Sequence, residues 1–471
     1  MTASHNFCRT WAAAALLAAA TAQAGVVVGG NVNISKANGY EGETAVAIDP
    51  TNPNRLFAFS NQQQSGNPGL FGAYSTDGGT NWTTRYMATG ADITNSCCDP
   101  SAQFDRFGNL FITYLSSSIN VVVAASTNGG ASFATLANLG GGDQPTLVTG
   151  AGNVAGHSST WVSYNNGGSM AIQGMDVTGL GTWGAFGAAQ VAPSSAGGSF
   201  GDIAVGANGQ VLVAYQAPSN NIGPSTIYTN LDSDGLGAGG LGARMLASTT
   251  NVGGFAPITP QPSRTIDAEA SLAYDTSGGP HNGRLYMVYT DRANTATSDT
   301  DIYLRYSDND GVTWSTRVKV NDDGGTKAQF FPKLTVDPVT GHVAIVWYDA
   351  RNDAAGRSVQ LFGTLSVDGG LSLLANELIS AGLSNSALVA NGNEFGDYIG
   401  LTGFNDVFYP VWTDNSNSTG DNPNNRSNFD MYTARITYTA TSGDVPEPGS
   451  LALTAMAAGL LWRQRRRGRT R

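Results

Sequence analysis

The sequence has few of the residues on which several common folds and sites depend. Only 13% of its 471 residues are charged, which excludes a highly charged disordered chain. It contains 3 cysteines and 4 histidines, and His157, His281 and His342 have no metal-ligand spacing. Cys97 and Cys98 are adjacent, so they cannot join distant segments, and both a vicinal disulfide and two thiols remain open. A disulfide framework and a Cys/His metal centre are therefore excluded.

Glycine and apolar residues are abundant instead. The chain holds 61 glycines, and 41% of its residues are hydrophobic. This composition is typical of many short strands joined by tight turns, because glycine adopts the backbone angles that such turns require. The sequence therefore favours an all-β fold.

The first 24 residues have the features of a signal peptide. Arg9 precedes a short apolar run, Trp11 to Ala20, and Ala22-Gln23-Ala24 forms a small-residue cleavage site. Ten apolar residues are too few to span a bilayer. We therefore expect export, with the mature chain beginning at Gly25.

The C-terminal segment, 441–471, has the features of a second targeting signal. A Pro-Glu-Pro motif at 446–448 precedes an apolar run, Ser450 to Trp462, and an arginine-rich tail. This order resembles the PEP-CTERM sorting signal of Gram-negative bacteria. The resemblance implies processing by an exosortase, association with exopolysaccharide, and a final location at the cell surface or in the extracellular matrix. The basic tail would stay in the cytoplasm while the apolar helix anchors the chain transiently in the inner membrane.

Removing both ends leaves a strongly acidic body. Without Arg9, the six C-terminal arginines and Glu447, it holds 17 basic and 34 acidic residues, a net charge of −17. Such a body repels nucleic acid and anionic membranes. Cations, neutral glycans and basic groups remain as partners. We expect a monomer that binds exopolysaccharide or another glycan and meets the exosortase and export machinery during processing.

A short motif recurs along this body. Four segments share the form S-x-D/N-x-G-x-x followed by a large hydrophobic residue: Ser75–Trp82, Ser126–Phe133, Ser307–Trp314 and Ser366–Leu373. They resemble the Asp box, or BNR repeat, of sialidases and related β-propellers. The Asp or Asn accepts hydrogen bonds from the backbone of its own turn. We therefore assign a structural role to Asp77, Asn128, Asn309 and Asp368.

The spacing of the motif predicts the number of blades. Asp77 and Asn128 lie 51 positions apart, Asn309 and Asp368 lie 59 apart, and the 181 positions between the two pairs fit three further steps. Four strands surround the third copy: Ala268–Tyr274, Arg284–Thr290, Asp301–Tyr306 and Thr313–Arg317. We predict a seven-bladed propeller over 25–440, whose last blade is completed by Asn31–Ser35. Six blades with one elaborated insertion remain open.

Polar residues recur at two positions that a propeller brings to the face opposite the Asp boxes. The first set precedes the innermost strands: Glu43, Asp99, Asp143, Asp202, Glu269, Glu394 and Asp397. The second set follows the second strands: Asp291, Arg292, Asp349, Arg351, Asp414 and Asn415. Carboxylates commonly cap turns and join neighbouring blades. Their concentration near one opening nevertheless indicates a glycan or cation site.

The resemblance to sialidases implies three arginines for a substrate carboxylate, a Tyr–Glu nucleophile pair and an Asp acid/base. The first inner strand, Glu43 to Ile48, contains no arginine, and Arg264, Arg292 and Arg351 are the candidates. We predict catalytic roles for Tyr398, Asp397, Glu269 and Asp291. We predict substrate contacts by Arg292, Asp349, Arg351, Asp99, Glu394 and Asp414.

The predicted function is glycan binding or hydrolysis at this opening. The alternative is a non-catalytic adhesin or matrix scaffold. Three arginines beside Tyr398 would favour the enzyme, and acids alone would favour binding. We expect no cofactor, although an acidic opening can attract Ca²⁺. Asp232-x-Asp234-Gly235 lacks the other ligands of a calcium loop and is interpreted as a degenerate Asp box.

Overall fold

The computed structural model describes residues 25–440, apart from 65–66, 88–92, 94–95 and 390–391. Val28–Thr437 form one compact unit. The second unit consists of the two chain ends, of which 25–27 and 438–440 are described. The predicted signal peptide and sorting signal lie outside the described residues. No helix within the described part of the chain is long and apolar enough to cross a membrane.

The described chain is almost entirely β-structure, with one short 3₁₀-helix at Ser386–Leu388. Its first half contains β1 (Gly25–Val28), β2 (Val32–Asn33), β3 (Tyr40–Ile48), β4 (Leu56–Gln64), β5 (Asn67–Ser75), β6 (Thr83–Tyr86), β7 (Ser96–Phe104), β8 (Leu110–Ser116), β9 (Asn120–Ser126), β10 (Ala134–Gly141), β11 (Asp143–Ala151), β12 (Ser158–Asn165), β13 (Met170–Gly179), β14 (Thr182–Trp183), β15 (Gln190–Val191), β16 (Ile203–Val205) and β17 (Val211–Ala217).

Its second half contains β18 (Ser225–Asp232), β19 (Met245–Thr250), β20 (Ala256–Ile258), β21 (Gln261–Ile266), β22 (Ser271–Tyr274), β23 (Leu285–Arg292), β24 (Thr300–Ser307), β25 (Val318–Lys319), β26 (Gln329–Val336), β27 (Val343–Asp349), β28 (Gln360–Ser366), β29 (Glu377–Leu378), β30 (Gly400–Phe404), β31 (Val407–Asp414), β32 (Asp430–Thr433) and β33 (Ile436–Thr439).

These strands form seven antiparallel blades, which confirms the predicted propeller. The innermost strands are β3, β7, β11, β16, β22, β26 and β30, and the next strands of each blade follow in chain order. β14 and β15 share the outer edge of the third blade, since both pair with β13. The fourth strand of the fifth blade is Val318–Lys319 rather than the predicted Thr313–Arg317. At Ser315 the backbone N–H bonds the carbonyl of Tyr306, but the N–H of Tyr306 donates to the Ser315 hydroxyl instead of to a main-chain carbonyl, so the regular ladder begins only at Val318.

The seventh blade is completed by the N-terminal segment, as predicted. Val32 pairs with Thr433 and Asn33 pairs with Tyr432, so β2 forms the outer strand beside β32. The backbone N–H of Ile34 donates to the carbonyl of Met431 at 2.7 Å. The seventh blade therefore contains strands from both the first and the last segments of the propeller. This shared blade closes the ring and leaves no free sheet edge between its first and last segments.

The four repeated turns have one hydrogen-bond pattern. In the first, the Ser75 hydroxyl donates to Asp77 at 2.9 Å and accepts from the Gly79 N–H at 3.0 Å. Asp77 also accepts from the Asn81 N–H at 2.9 Å. The turns at Ser126, Ser307 and Ser366 repeat these three bonds at 2.8 to 3.0 Å. We call these four turns the corners.

The corners lie on one face of the ring. Gly78, in the first corner, donates to the carbonyl of Asn54 in the loop between the first and second strands of the same blade. The loops that begin each innermost strand lie at the opposite ends of the strands, because neighbouring strands are antiparallel. That opposite face holds two further features. A two-stranded ribbon, β20–β21, which was not predicted, is inserted in the chain between the strands of the fourth and fifth blades. Cys97 and Cys98 form a vicinal disulfide, one of the two alternatives that the sequence left open.

Candidate functional site

A cavity of about 590 Å³ follows the axis of the ring. Residues of all seven innermost strands line it, from Gly201 and Glu269 before their strands begin to Pro50 and Pro338 after theirs end. We call the end of the cavity that lies at the loops that begin these strands the mouth. Asp202, Glu269, Lys333 and Tyr398 line the cavity there. Glu43, Asp99, Asp143, Asp267, Asp397, Arg264 and Tyr40 interact electrostatically with them or with one another, so that the mouth groups seven acidic residues, two basic residues and two tyrosines.

A repeated backbone feature delivers several of these side chains. In six blades, a residue two or three positions before the inner strand's regular pairing has a left-handed φ: Glu43 (54°), Asp99 (56°), Gln144 (46°), Phe200 (55°), Glu269 (43°) and Phe331 (50°). In four of these blades the strand register shifts here, as in a β-bulge. Such angles are uncommon for residues other than glycine and concentrate at functional sites.

Arg264 is the central cation of the mouth. The ribbon strand β21 carries it, and its backbone N–H donates to Glu394 at 3.1 Å. Its guanidinium group forms a two-point ion pair with Asp397, at 2.8 Å from Nε and 2.5 Å from Nη2. The same Nη2 lies 2.9 Å from Glu43. One arginine therefore joins carboxylates of the first and seventh blades.

Burial changes the protonation of the acids around Arg264. The side chain of Glu43 is 3% exposed, and this burial, with repulsion from Asp397 and Asp99, raises the pKa of Glu43 well above its ordinary value. Burial and the neighbouring carboxylates Asp143 and Asp397 raise the pKa of Asp99 to about 7. Both shifts favour the protonated forms of these two acids over those of exposed carboxyl groups.

A second group of charges lies on the fourth to sixth blades. Glu269 lines the cavity, and its burial, with repulsion from Asp267, raises its pKa well above the ordinary value, against the lowering effect of Lys333. Burial also raises the pKa of Asp267 to about 7. The Lys333 ammonium donates to Asp202 at 3.3 Å. The raised pKa favours the protonated form of Glu269, and this side chain has access to the cavity.

Tyr398 lies between these two groups. It lines the cavity, and its hydroxyl donates to the carbonyl of Pro100 at 3.3 Å. Burial raises the pKa of Tyr398 well above its ordinary value, and Glu43, Asp99, Asp397 and Glu269 raise it further. The phenol therefore stays protonated and acts as a donor unless a neighbouring base removes its proton.

The structure brings together three of the four predicted catalytic residues and separates the fourth. Tyr398, Asp397 and Glu269 meet at the mouth. Asp291 lies in a different cleft between the fourth and fifth blades, where Arg317 pairs with it. Arg292 is 4% exposed, and its guanidinium donates to the main-chain carbonyls of Asn251, Thr297 and Ile222.

The remaining predicted contacts divide in the same way. Asp99 belongs to the mouth, and Glu394 supports the ribbon that carries Arg264. Asp349 and Asp414 are fully buried. Each accepts a hydrogen bond from a tryptophan two residues earlier, at 2.9 and 3.1 Å. Arg351 donates hydrogen bonds to Asp349 and Asp322, and its guanidinium group stacks on the ring of Phe362. These donors are therefore used within the protein, around the sixth blade, and not at the mouth.

Three mouth residues were not singled out from the sequence as site residues: Tyr40, Asp267 and Lys333. Lys333 follows Pro332 at the register position that Ser101 and Thr146 occupy in their blades. Aligning the inner strands by this proline would have found it. Asp267 and Tyr40 lie at positions that the other blades do not repeat, so aligning the inner strands would not have identified them. Within the described residues, no group of three or more His, Cys, Asp or Glu side chains is arranged to hold a metal ion.

Comparison with known proteins finds similarity only among solved structures. No protein-family model matches the chain, and no curated protein sequence matches it. Among solved structures, it is similar to a protein of unknown function from Dyadobacter fermentans, at 11% identity and a TM-score of 0.49 over 88% of this chain and 100% of the other. It is also similar to the endosialidase of phage phi92, at 11% identity and a TM-score of 0.48 over 89% of this chain and 70% of the other. A third similar structure is an α-L-arabinofuranosidase from Fusarium graminearum, at 12% identity and a TM-score of 0.43 over 72% of this chain and 98% of the other. At these scores, no site residue or activity is carried over.

Proposed function

We propose that the protein is an exported glycoside hydrolase that binds a glycan at the mouth and cleaves a glycosidic bond there. One observation carries the proposal: Tyr398 and Glu269 line one cavity, and Asp397, paired with Arg264 beside it, raises the pKa of Tyr398 together with the buried acids Glu43 and Asp99. Hydrolysis of a glycosidic bond needs a carboxylic acid that holds a proton and a second carboxylate that is charged.

The surroundings assign different roles to the two accessible carboxyl groups. Burial raises the pKa of Glu269, which favours its protonated form, and Glu269 is the group that donates a proton to the leaving oxygen. Asp397, held by two N–H groups of Arg264, faces the positive charge that develops on the sugar. Tyr398 supplies a hydroxyl between them. The near-complete burial of Glu43 and Asp99 suits a supporting role behind these three groups.

The charge of the mouth favours an uncharged sugar as substrate. Seven carboxyl groups surround Arg264 and Lys333, and both cations are already paired with acids. An anionic sugar needs free arginine donors, because the guanidinium fork matches a carboxylate. Of the three arginines considered from the sequence, only Arg264 belongs to the mouth. This composition argues against the sialidase-type recognition that the resemblance implied.

Export and surface display belong to the same proposal. The sequence at 1–24 supports secretion, and the segment at 441–471 supports exosortase processing and a place in an exopolysaccharide matrix. The corners support an assignment as Asp boxes, since all four share three hydrogen bonds at one position of the blade. An exopolysaccharide built from neutral sugars is therefore the substrate class that we propose.

A non-catalytic glycan-binding propeller is the second candidate. The observation that favours it is the scarcity of free cations at the mouth, where Arg264 serves two carboxylates at once. A binding module would retain a neutral glycan without releasing product. The two candidates therefore differ in one measurable quantity, the appearance of new reducing ends.

The test is incubation of the full chain with neutral and anionic oligosaccharides, with product and retention measured separately. We expect reducing ends from a neutral substrate, lost in Asp397→Asn and kept in Asp77→Asn on the corner face. Retention without product would favour the binding module. The absence of both product and retention with every neutral glycan would contradict both candidates. Equal activity of Asp397→Asn and the unaltered chain would contradict hydrolysis at this mouth.

A further inference from the structure

A second cleft lies away from the mouth, between the fourth and fifth blades. Its volume is about 370 Å³. The outer strand β19 supplies one wall through Leu246 and Thr249, and the fifth blade supplies Asp291, Arg305 and Arg317. Two arginines in one cleft are notable in a body whose net charge is −17. We call this feature the interblade cleft.

Arg317 is fixed in place but still open to solvent. It lies over the ring of Tyr303 at 4.2 Å and pairs with Asp291 through Nη1. Asp291 also accepts from Thr250 at 3.1 Å and from the Asn251 N–H at 2.8 Å. The Arg317 side chain remains 44% exposed. Asp291 therefore positions a guanidinium group whose other donors can reach a ligand.

Arg305 provides a donor that the described chain leaves unsatisfied. Its Nη1 donates to the carbonyl of Ala247 at 2.8 Å. Its Nε is buried and has no hydrogen-bond partner among the described residues. A buried donor without an acceptor is costly, so an acceptor from outside the chain would be stabilising here.

The rest of the cleft suits a sugar ring rather than a bare anion. Leu246 is 59% exposed and offers an apolar surface, while the exposed Thr249 lies beside it. Sugars present apolar C–H faces together with hydroxyl groups, and a carboxylate on the ring would match the arginine forks. We propose that the interblade cleft is a binding site for a carboxylate-bearing sugar unit, such as a uronate. This site is separate from the acidic mouth.

The proposal is tested by calorimetry of the full chain with oligogalacturonate and with a neutral oligosaccharide of equal length. Asp397→Asn serves as the background, so that cleavage at the mouth cannot interfere. We expect the uronate to bind at least tenfold more tightly than the neutral sugar. Arg317→Gln and Arg305→Gln should each weaken that binding by at least tenfold.

Arg244→Gln is the matched control. Arg244 also stacks on a tyrosine, at 4.0 Å from the Tyr228 ring, but it lies outside the cleft, and its removal should change binding less than twofold. Leu246→Glu provides a second variant that leaves the buried contacts intact and should abolish uronate binding by repulsion. Equal binding of both sugars, an equal loss in Arg244→Gln, or full binding by Leu246→Glu would overturn the proposal. These outcomes do not bear on hydrolysis at the mouth.

Discussion

The two faces of the ring shift the pKa of an aspartate side chain in opposite directions. On the corner face, exposed Asp77 accepts from the Asn81 backbone N–H, and this and other local bonds lower the pKa of Asp77. At the mouth, burial and neighbouring carboxylates raise the pKa of Asp99 to about 7. The corner carboxylate is stabilised by its own turn, whereas the mouth carboxylate depends on groups from other blades.

This contrast separates structure from chemistry better than residue type does. Asn replaces Asp in two of the four corners without changing the hydrogen bonds, so a corner needs an acceptor and not a charge. The mouth holds acids close together although their mutual repulsion destabilises the fold. An arrangement that costs stability and is built from several blades is typical of a working site.

The largest predicted difference between the faces is catalytic. Asp397→Asn should lower the rate of glycan hydrolysis about a thousandfold, since it removes the charge opposite the developing positive centre. Asp77→Asn should leave the rate unchanged. Initial rates of reducing-end release measure both. Similar rates for the two variants would remove the functional distinction between the faces.

Tyr398→Phe should have the next largest effect. It removes the hydroxyl that lies between Asp397 and Glu269 while keeping the ring, and we expect about a hundredfold loss of rate. The matched control is Tyr74→Phe, whose tyrosine lies on β5 of the first blade and should keep full activity. Full activity of Tyr398→Phe would show that the phenol takes no part in the reaction.

On the corner face, the predicted effect is on stability. Ser75→Ala removes a buried hydroxyl that bonds Asp77 and the Gly79 N–H, and should lower the free energy of unfolding by about 2 kcal/mol. Thr83→Ala, at an exposed position of β6, should change it little. Denaturant unfolding measures both variants. An unchanged Ser75→Ala protein would mean that the corners contribute little to the fold.

The smallest predicted effect is on pH dependence. Because the pKa of Asp99 is higher in the folded chain than the ordinary value of 3.8, the folded state binds more protons between about pH 4 and 7, and stability falls as pH rises through this range. Asp99→Asn keeps the acceptor for Gln144 and tolerates the left-handed φ. It should reduce this fall by about 1 kcal/mol between pH 6 and 7. A thermal melt at each pH measures it, and an unaltered slope would contradict the shifted pKa.

The sequence was sufficient to predict the repeating features of the molecule. The corners, the seven blades and the closing strand follow from local turn chemistry and from regular spacing, which each blade repeats independently. Even the inner-strand acids Glu43, Asp99 and Glu269 could be placed at one opening, because every blade presents the same position there.

Features that depend on contacts between distant segments were beyond sequence reasoning. The ribbon β20–β21 interrupts the repeat, so its delivery of Arg264 to Glu43 and Asp397 could not be derived from spacing. Asp291 and Asp349 follow their strands alike, yet packing directs one into the interblade cleft and buries the other beneath Trp347. The side-chain direction at a strand end is set by its neighbours, which a one-dimensional pattern does not contain.

The most direct test of the contrast is a carbon-13 NMR titration of the aspartate carboxyl groups in the full chain. Asp99→Asn and Asp77→Asn identify the two resonances. We predict a midpoint near pH 7 for Asp99 and one below the ordinary value of 3.8 for Asp77. Coincident midpoints close to 3.8 would contradict the account, because the mouth would then hold no proton that the corners lack.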